Sequence, residues 1–184
     1  MSNEANLANK TIAIIATDGF EQSELFQPKE QLTSMGAEVH IISIDDNDSI
    51  RAWDQKDWGK TVDVDKQIDE VSTADYDAVV LPGGQINPDV LRMNDKVVDF
   101  IKSAYEQDNI KVLAAICHGP WLMVEAAIVD GKQITSYPSI RTDLRNAGAK
   151  WQDKTVVVDG KLITSRNPDD LPNFIETIAQ TLTQ

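Results

Sequence analysis

Short, continuous apolar runs alternate along this chain with longer segments whose apolar residues recur every three to four positions. Thr11–Ala16 is a β-branched run and predicts the first strand. A polar helix follows from about Glu21 to Met35, Gly36 ends it, and Val39–Ile44 predicts the next strand. Ala78–Leu81 reads as a third, buried strand that runs into Pro82-Gly83-Gly84, and the spacing over Val90–Tyr105 predicts one crossover helix. Val112–Ile116 is a further strand, with a helix over Trp121–Val129 behind it. Ile134–Tyr137 reads as a weaker strand. Val156–Asp159 and Leu162–Ser165 flank Asp159-Gly160 as a hairpin, and Leu171–Leu182 forms the closing helix. Strand, helix, strand in that order gives an α/β fold, a doubly wound sandwich of helices around a mainly parallel sheet. The segment Asp45–Val64 follows neither period and carries Trp53 and Trp58, which predicts a surface hairpin or an oligomer contact.

The 184 residues suit one domain spanning 1–184, with residues 1–9 a flexible N-terminus. A single cysteine leaves no disulfide framework, and no stretch approaches the roughly 20 apolar residues of a membrane helix. A soluble, cytoplasmic chain with no membrane partner is the expectation. Thirty acidic against 17 basic residues give a net charge of -13, which repels phosphate backbones and argues against direct nucleic-acid binding. Two histidines and one cysteine make a dedicated metal site improbable, and no cofactor is expected. Thr17-Asp18-Gly19-Phe20 has one glycine and is followed by two glutamates, so it fails as a phosphate cradle.

The chemistry centres on Ala115-Ile116-Cys117-His118-Gly119, between a strand and a helix. Strand, tight turn and helix form a nucleophile elbow, which makes Cys117 a candidate nucleophile, with the helix N-terminus expected to favour its thiolate. In an open α/β sheet ligands bind outside the carboxyl ends of the strands. Three polar clusters fall there: the Asp18–Glu24 loop, the Pro82–Asp89 loop and the elbow. The N–H groups of Gly83, Gly84 and His118 can form an oxyanion hole beside Cys117. Glu21 and Glu24 lie three apart on one helical face, and a carboxyl buried against the sulfur would stay protonated and donate a hydrogen bond to it. His40 lies inside a strand, and no histidine follows His118, so a triad with a later histidine is ruled out. The base is therefore His118 or a carboxylate. Because adjacent residues in a sharp turn splay apart, His118 is expected to position substrate or water rather than deprotonate Cys117.

At these residues the chain resembles the DJ-1/PfpI superfamily, in its PfpI-like bacterial stress-protein branch. The resemblance is carried by Asp18-Gly19-Phe20-Glu21-Gln22-Ser23-Glu24-Leu25, Leu81-Pro82-Gly83-Gly84, Pro88-Asp89-Val90-Leu91-Arg92 and Ala115-Ile116-Cys117-His118-Gly119-Pro120. Later matches are Thr135-Ser136-Tyr137-Pro138, Asn146-Ala147-Gly148-Ala149 and the run from Thr164 to Pro172. It implies a flavodoxin-like three-layer sandwich, similar to class I glutamine amidotransferases. It also implies Cys117 as nucleophile, Glu24 as its protonated partner, His118 beside them, and Gly84 and His118 as oxyanion-hole donors. Glu21 and Tyr137 would line the substrate rim. Asp89 would reach His118 from a neighbouring subunit of a homo-oligomer, dimer or hexamer.

The activity so implied is stress-protective removal of reactive dicarbonyls without glutathione. This is either a glyoxalase reaction, methylglyoxal to lactate, or deglycation of early adducts on amines and thiols of proteins or nucleotides. The alternatives are an intracellular cysteine peptidase, and a redox sensor or stress chaperone in which Cys117 is oxidised.

Overall fold

The computed structural model describes residues 5–184. Its first unit is β1 (Thr11–Ile15), the short β2 (Phe20–Glu21), α1 (Gln22–Ser34) and β3 (Glu38–Ser43). The predicted insertion follows as β4 (Ser49–Asp54) and β5 (Asp57–Asp63), with β6 (Lys66–Gln67) after it. Next come β7 (Ala78–Leu81), α2 (Ile86–Leu91), α3 (Asp95–Glu106), β8 (Val112–Ile116), α4 (Pro120–Glu125) and β9 (Gln133–Ile134). The chain ends with α5 (Arg141–Asn146), β10 (Lys150–Trp151), β11 (Val157–Asp159), β12 (Leu162–Ser165) and α6 (Leu171–Leu182).

The main sheet runs β11-β12-β8-β7-β1-β3-β6, parallel throughout except for the β11–β12 hairpin. Successive residues of β1 serve opposite faces. Ile12 and Ile14 join Leu25 and Leu32 of α1 and Phe174, Ile175 and Ile178 of α6. Ala13 and Ile15 join Val97 and Ile101 of α3, Leu122 of α4 and Leu144 of α5. A strand covered on both faces needs apolar residues at every position, which is why the sheet core reads as unbroken apolar runs rather than alternation. Each fully buried leucine or isoleucine contributes about 1.5–3 kcal/mol.

Four expectations are corrected. The single helix over Val90–Tyr105 is two, α2 and α3, broken at Arg92–Asn94, because the Asn94 side chain accepts from the N–H groups of Lys96 and Val97 and starts a new helix there. The helix after the elbow stops at Glu125, just before Ala127, whose φ of 56° cannot continue it. Of Ile134–Tyr137 only Ile134 is in a strand, β9, and it pairs with β10 outside the main sheet. Within the expected flexible N-terminus, Leu7 is fully buried and its N–H donates to Met35 O at 2.8 Å, so this part of the segment is tied to the fold. Residues 1–4 lie outside the described residues.

The insertion is the expected hairpin. Trp53 and Trp58 face each other across it edge to face, 5.6 Å between ring centroids, and β2 pairs with β4. Among the described residues no helix is long and apolar enough to cross a membrane. Because β8, β7 and β1 are neighbours in one parallel sheet, the segments leaving their carboxyl ends emerge side by side.

Candidate active site

The loop after β1, the loop after β7 and the turn after β8 enclose a cavity of about 350 Å³. It is lined by Glu21 and Glu24 from the first, Gly84 to Ile86 from the second, and Cys117 and His118 from the third. Cys117 has φ 62°, the left-handed bend by which an elbow turns a side chain off the strand, and it remains only 7% exposed. The turn is held by its own backbone. Cys117 N–H donates to Ser165 O at 3.0 Å, Cys117 O accepts from Tyr137 N–H at 2.8 Å, and Gly119 N–H donates to Ile116 O at 2.9 Å.

Glu24 sits in the first turn of α1 and is fully buried. One carboxyl oxygen, Oε2, accepts from Gly83 N–H at 2.8 Å. The other, Oε1, has no hydrogen-bond partner, and Cys117 is the side chain that bears on this carboxyl. Burial pushes the Glu24 pKa up to about 8, with the Glu21 charge adding and the Gly83 bond opposing. The carboxyl is therefore protonated at neutral pH and has a proton to share with sulfur. Gly83 is thus occupied by Glu24, while the N–H groups of Gly84 and His118 are the backbone groups that favour the Cys117 thiolate. A side chain has no room at Gly83, where a Cβ would lie 2.6 Å from Glu24 Oε2 and 2.7 Å from Cys117 Cβ.

The thiolate expected from the helix N-terminus is corrected. Burial raises the Cys117 thiol, the Gly84 and His118 N–H groups only partly oppose it, and Glu24 adds to the rise only where its carboxyl is ionised. The expected splaying of His118 is also corrected, since Nδ1 lies 3.2 Å from Cys117 Sγ. The ring is 4% exposed and burial lowers its pKa, so it is neutral at pH 7 and able to accept a proton. It stacks on Tyr137 at 5.0 Å and meets Trp121 edge-on at 5.1 Å.

The structure places Glu21 and Tyr137 on the cavity wall. Glu21 is half-buried, its pKa raised first by burial and then by Asp54. Asp89 does not line the cavity. The Pro82–Asp89 segment, expected as a loop, is helical from Ile86, and Asp89 is exposed on α2. Both His118 nitrogens already have partners within the chain, Cys117 and Ser139. His40 is bonded to Tyr76 and Glu38 away from the cavity. Among the described residues no cluster of histidine, cysteine and carboxylates could hold a metal ion.

Sequence reasoning missed Trp53 and Gln55 from the hairpin, and Pro168 after β12, all of which line the cavity. It also missed Asn87 and Ser139. Asn87 is completely buried: Oδ1 accepts from Thr17 N–H at 2.8 Å, and Nδ2 donates to Pro82 O at 3.0 Å and Gly83 O at 3.1 Å. It ties the first loop to the second. A polar side chain beside two glycines was the one available signal. Replacing Asn87 by alanine strands two buried backbone groups, Thr17 N–H and Pro82 O, while Gly83 O keeps the Glu21 N–H, and is expected to cost about 2–4 kcal/mol in a urea titration. An unchanged midpoint would show that the loops hold each other without it.

The left-handed cysteine at the carboxyl edge of a doubly wound sheet, with a neutral carboxyl and an imidazole against its sulfur, defines a cysteine-elbow α/β protein. The chain belongs to the DJ-1/PfpI family, whose sequence pattern matches residues 10–181. It is 42% identical to General stress protein 18 of Bacillus subtilis over 166 residues, 90% of this chain and 93% of the relative. It is 40% identical to Protein/nucleic acid deglycase 2 of Escherichia coli over 167 residues, 90% of this chain and 94% of the relative. Among solved structures it is similar, at a TM-score of 0.89 and 37% identity, to a two-domain protein of Anabaena variabilis with DJ-1/ThiJ/PfpI-like and ferritin-like domains. The match takes in 95% of this chain and spans about half of that longer one, 48%.

Proposed function

We propose that the protein removes reactive α-dicarbonyls, free or as early adducts on amines and thiols, through covalent catalysis at Cys117. The observation that carries this reading is the buried sulfur set between a protonated Glu24 and a neutral His118 Nδ1. Sulfur adds to the aldehyde carbon of methylglyoxal while the thiol proton passes to Nδ1 and from there to the former carbonyl oxygen, giving a hemithioacetal. The oxygen that gains charge meets the Gly84 and His118 N–H groups. Glu24 or His118 carries the proton from the aldehyde carbon to the neighbouring carbon, the hydroxyl proton passes to the oxygen on that neighbouring carbon, and a thioester is left. Water cleaves it to lactate and frees the thiol, so methylglyoxal plus water gives lactate. For an adduct, release of the amine or thiol from the same carbon precedes these steps. The deglycase name of the Escherichia coli relative supports the adduct branch.

A homo-oligomer, dimer or hexamer, in which Asp89 of a neighbour approaches His118 belongs to this reading; the exposure of Asp89 on α2 supports it. Tyr137, on the cavity wall, is 40% exposed. The deciding experiment gives purified, reduced protein methylglyoxal without glutathione and follows lactate. Multiple turnovers with stoichiometric lactate are expected. No turnover by folded, reduced protein would overturn the reading, and peptide cleavage in its place would mark the site as a cysteine peptidase.

A further inference from the structure

The hydroxyl of Ser139 lies 3.2 Å from His118 Nε2, on the far side of the ring from the sulfur. Ser139 belongs to a short turn between β9 and α5, and that turn is fixed to the elbow. Tyr137 N–H donates to Cys117 O at 2.8 Å, Ser136 Oγ donates to Tyr137 O at 2.9 Å, and Trp151 Nε1 donates to Ser136 Oγ at 2.9 Å. The ring itself is clamped by Tyr137 and Trp121. Imidazole and hydroxyl are therefore held in register by separate elements.

A neutral histidine has one N–H and one bare nitrogen, and the partner of one nitrogen decides the state of the other. When Nε2–H donates to Ser139 Oγ, Nδ1 is bare and points its lone pair at Cys117 Sγ, 3.2 Å away. After the thiol proton moves, both nitrogens are donors, Nδ1–H to the sulfur and Nε2–H to the serine oxygen. We propose that Ser139 is the positioning residue that selects the proton-accepting tautomer of His118 and steadies its charged form, supplied from the same chain as Cys117. The titratable groups facing the ring are Cys117 on the elbow, Glu24 and Glu21 across the cavity, and Tyr137 stacked on it. Behind Trp121 lie Asp143, which accepts from its indole N–H, and Arg92, over its ring. Burial lowers the His118 pKa, and the ring nitrogens are bonded within the chain to the Cys117 sulfur and the Ser139 hydroxyl rather than to a charged side chain.

The inference rests on Cys117 as the nucleophile. It is tested with a thiol reagent, so that it can be judged even if the dicarbonyl reading fails. The rate of Cys117 alkylation by iodoacetamide is followed against pH, and the chain's single cysteine gives one signal. Ser139→Ala is expected to slow alkylation about tenfold near neutral pH and move its inflection to higher pH, with an unchanged thermal midpoint. Ser139→Thr, which keeps the hydroxyl, restores the rate. In a His118→Ala background Ser139→Ala has no further effect. With methylglyoxal, Ser139→Ala lowers kcat and leaves KM near the wild-type value. An unchanged alkylation profile in Ser139→Ala would overturn the proposal, as would an equal slowing in the His118→Ala background. So would a loss confined to Asp89→Asn, which would hand the positioning role to the neighbouring subunit.

Discussion

Cys117→Ser is expected to reduce lactate formation from methylglyoxal by about 10³-fold or more, with a thermal midpoint close to that of the wild type. The substitution keeps the size of the side chain and the left-handed turn, and the Gly84 and His118 N–H groups still find an acceptor. What changes is the acid. A serine hydroxyl is far less acidic than a thiol, and a neutral imidazole whose basicity is already lowered by burial cannot share its proton usefully. Lactate assay beside a circular-dichroism melt separates loss of chemistry from loss of fold. Turnover within tenfold of wild type would remove Cys117 from the nucleophile role.

Glu24→Gln is expected to lower activity by about 10²-fold and, at the same time, to raise stability at alkaline pH. The amide keeps the bond from Gly83 N–H and offers an N–H to the sulfur, but it cannot give up or regain a proton. The stability effect follows from linkage. Glu24 has a folded pKa of about 8 against 4.5 for a free glutamate side chain. Between those values the unfolded chain has released the proton and the native state still holds it, so stability falls as pH rises through this window and levels off above it. The slope is about 1.4 kcal/mol per pH unit, and the cost reaches about 3 kcal/mol by pH 7. Glutamine has no proton to lose, so its pH profile is flatter across the same window. Urea titrations at pH 5 and pH 8 check this. Parallel falls in wild type and variant would show that Glu24 is not the buried acid responsible.

The two outcomes share a physical origin. A carboxyl held neutral against a buried sulfur is costly to the native state wherever the unfolded chain would ionise it, and the surrounding loops keep the pair together. Asn87 and Gly83 are part of that support: one bonds two loops together, the other leaves space that no side chain could share.

Much of the fold was legible because its signals are local. Ala78–Leu81, Val112–Ile116 and Leu162–Ser165 are strands at the very residues their apolar runs mark, and α6 spans Leu171–Leu182 as its period predicts. The Cys117 turn was legible for the same reason, since strand, glycine and helix lie within a few residues of one another. The break between α2 and α3 was not, because Asn94 interrupts an apolar period without removing it. The ionisation of Cys117 was misread because a helix terminus is visible in sequence, whereas burial is a sum over the whole molecule.

By itself the sequence determined the alternation of strands and helices that makes a parallel sheet, the expectation of three polar loops at its carboxyl edge, and the residue types Cys117, His118 and Glu24 that can react there. Tertiary structure alone decided what surrounds them. Trp53 and Gln55 come to the cavity from a hairpin more than sixty residues before the cysteine, Ser139 from a turn after it, and Asp89 faces away on α2. Periodicity records which face of an element is buried; it holds no term for distances between elements, and those distances set the pKa shifts, the partners of the His118 ring and the shape of the site.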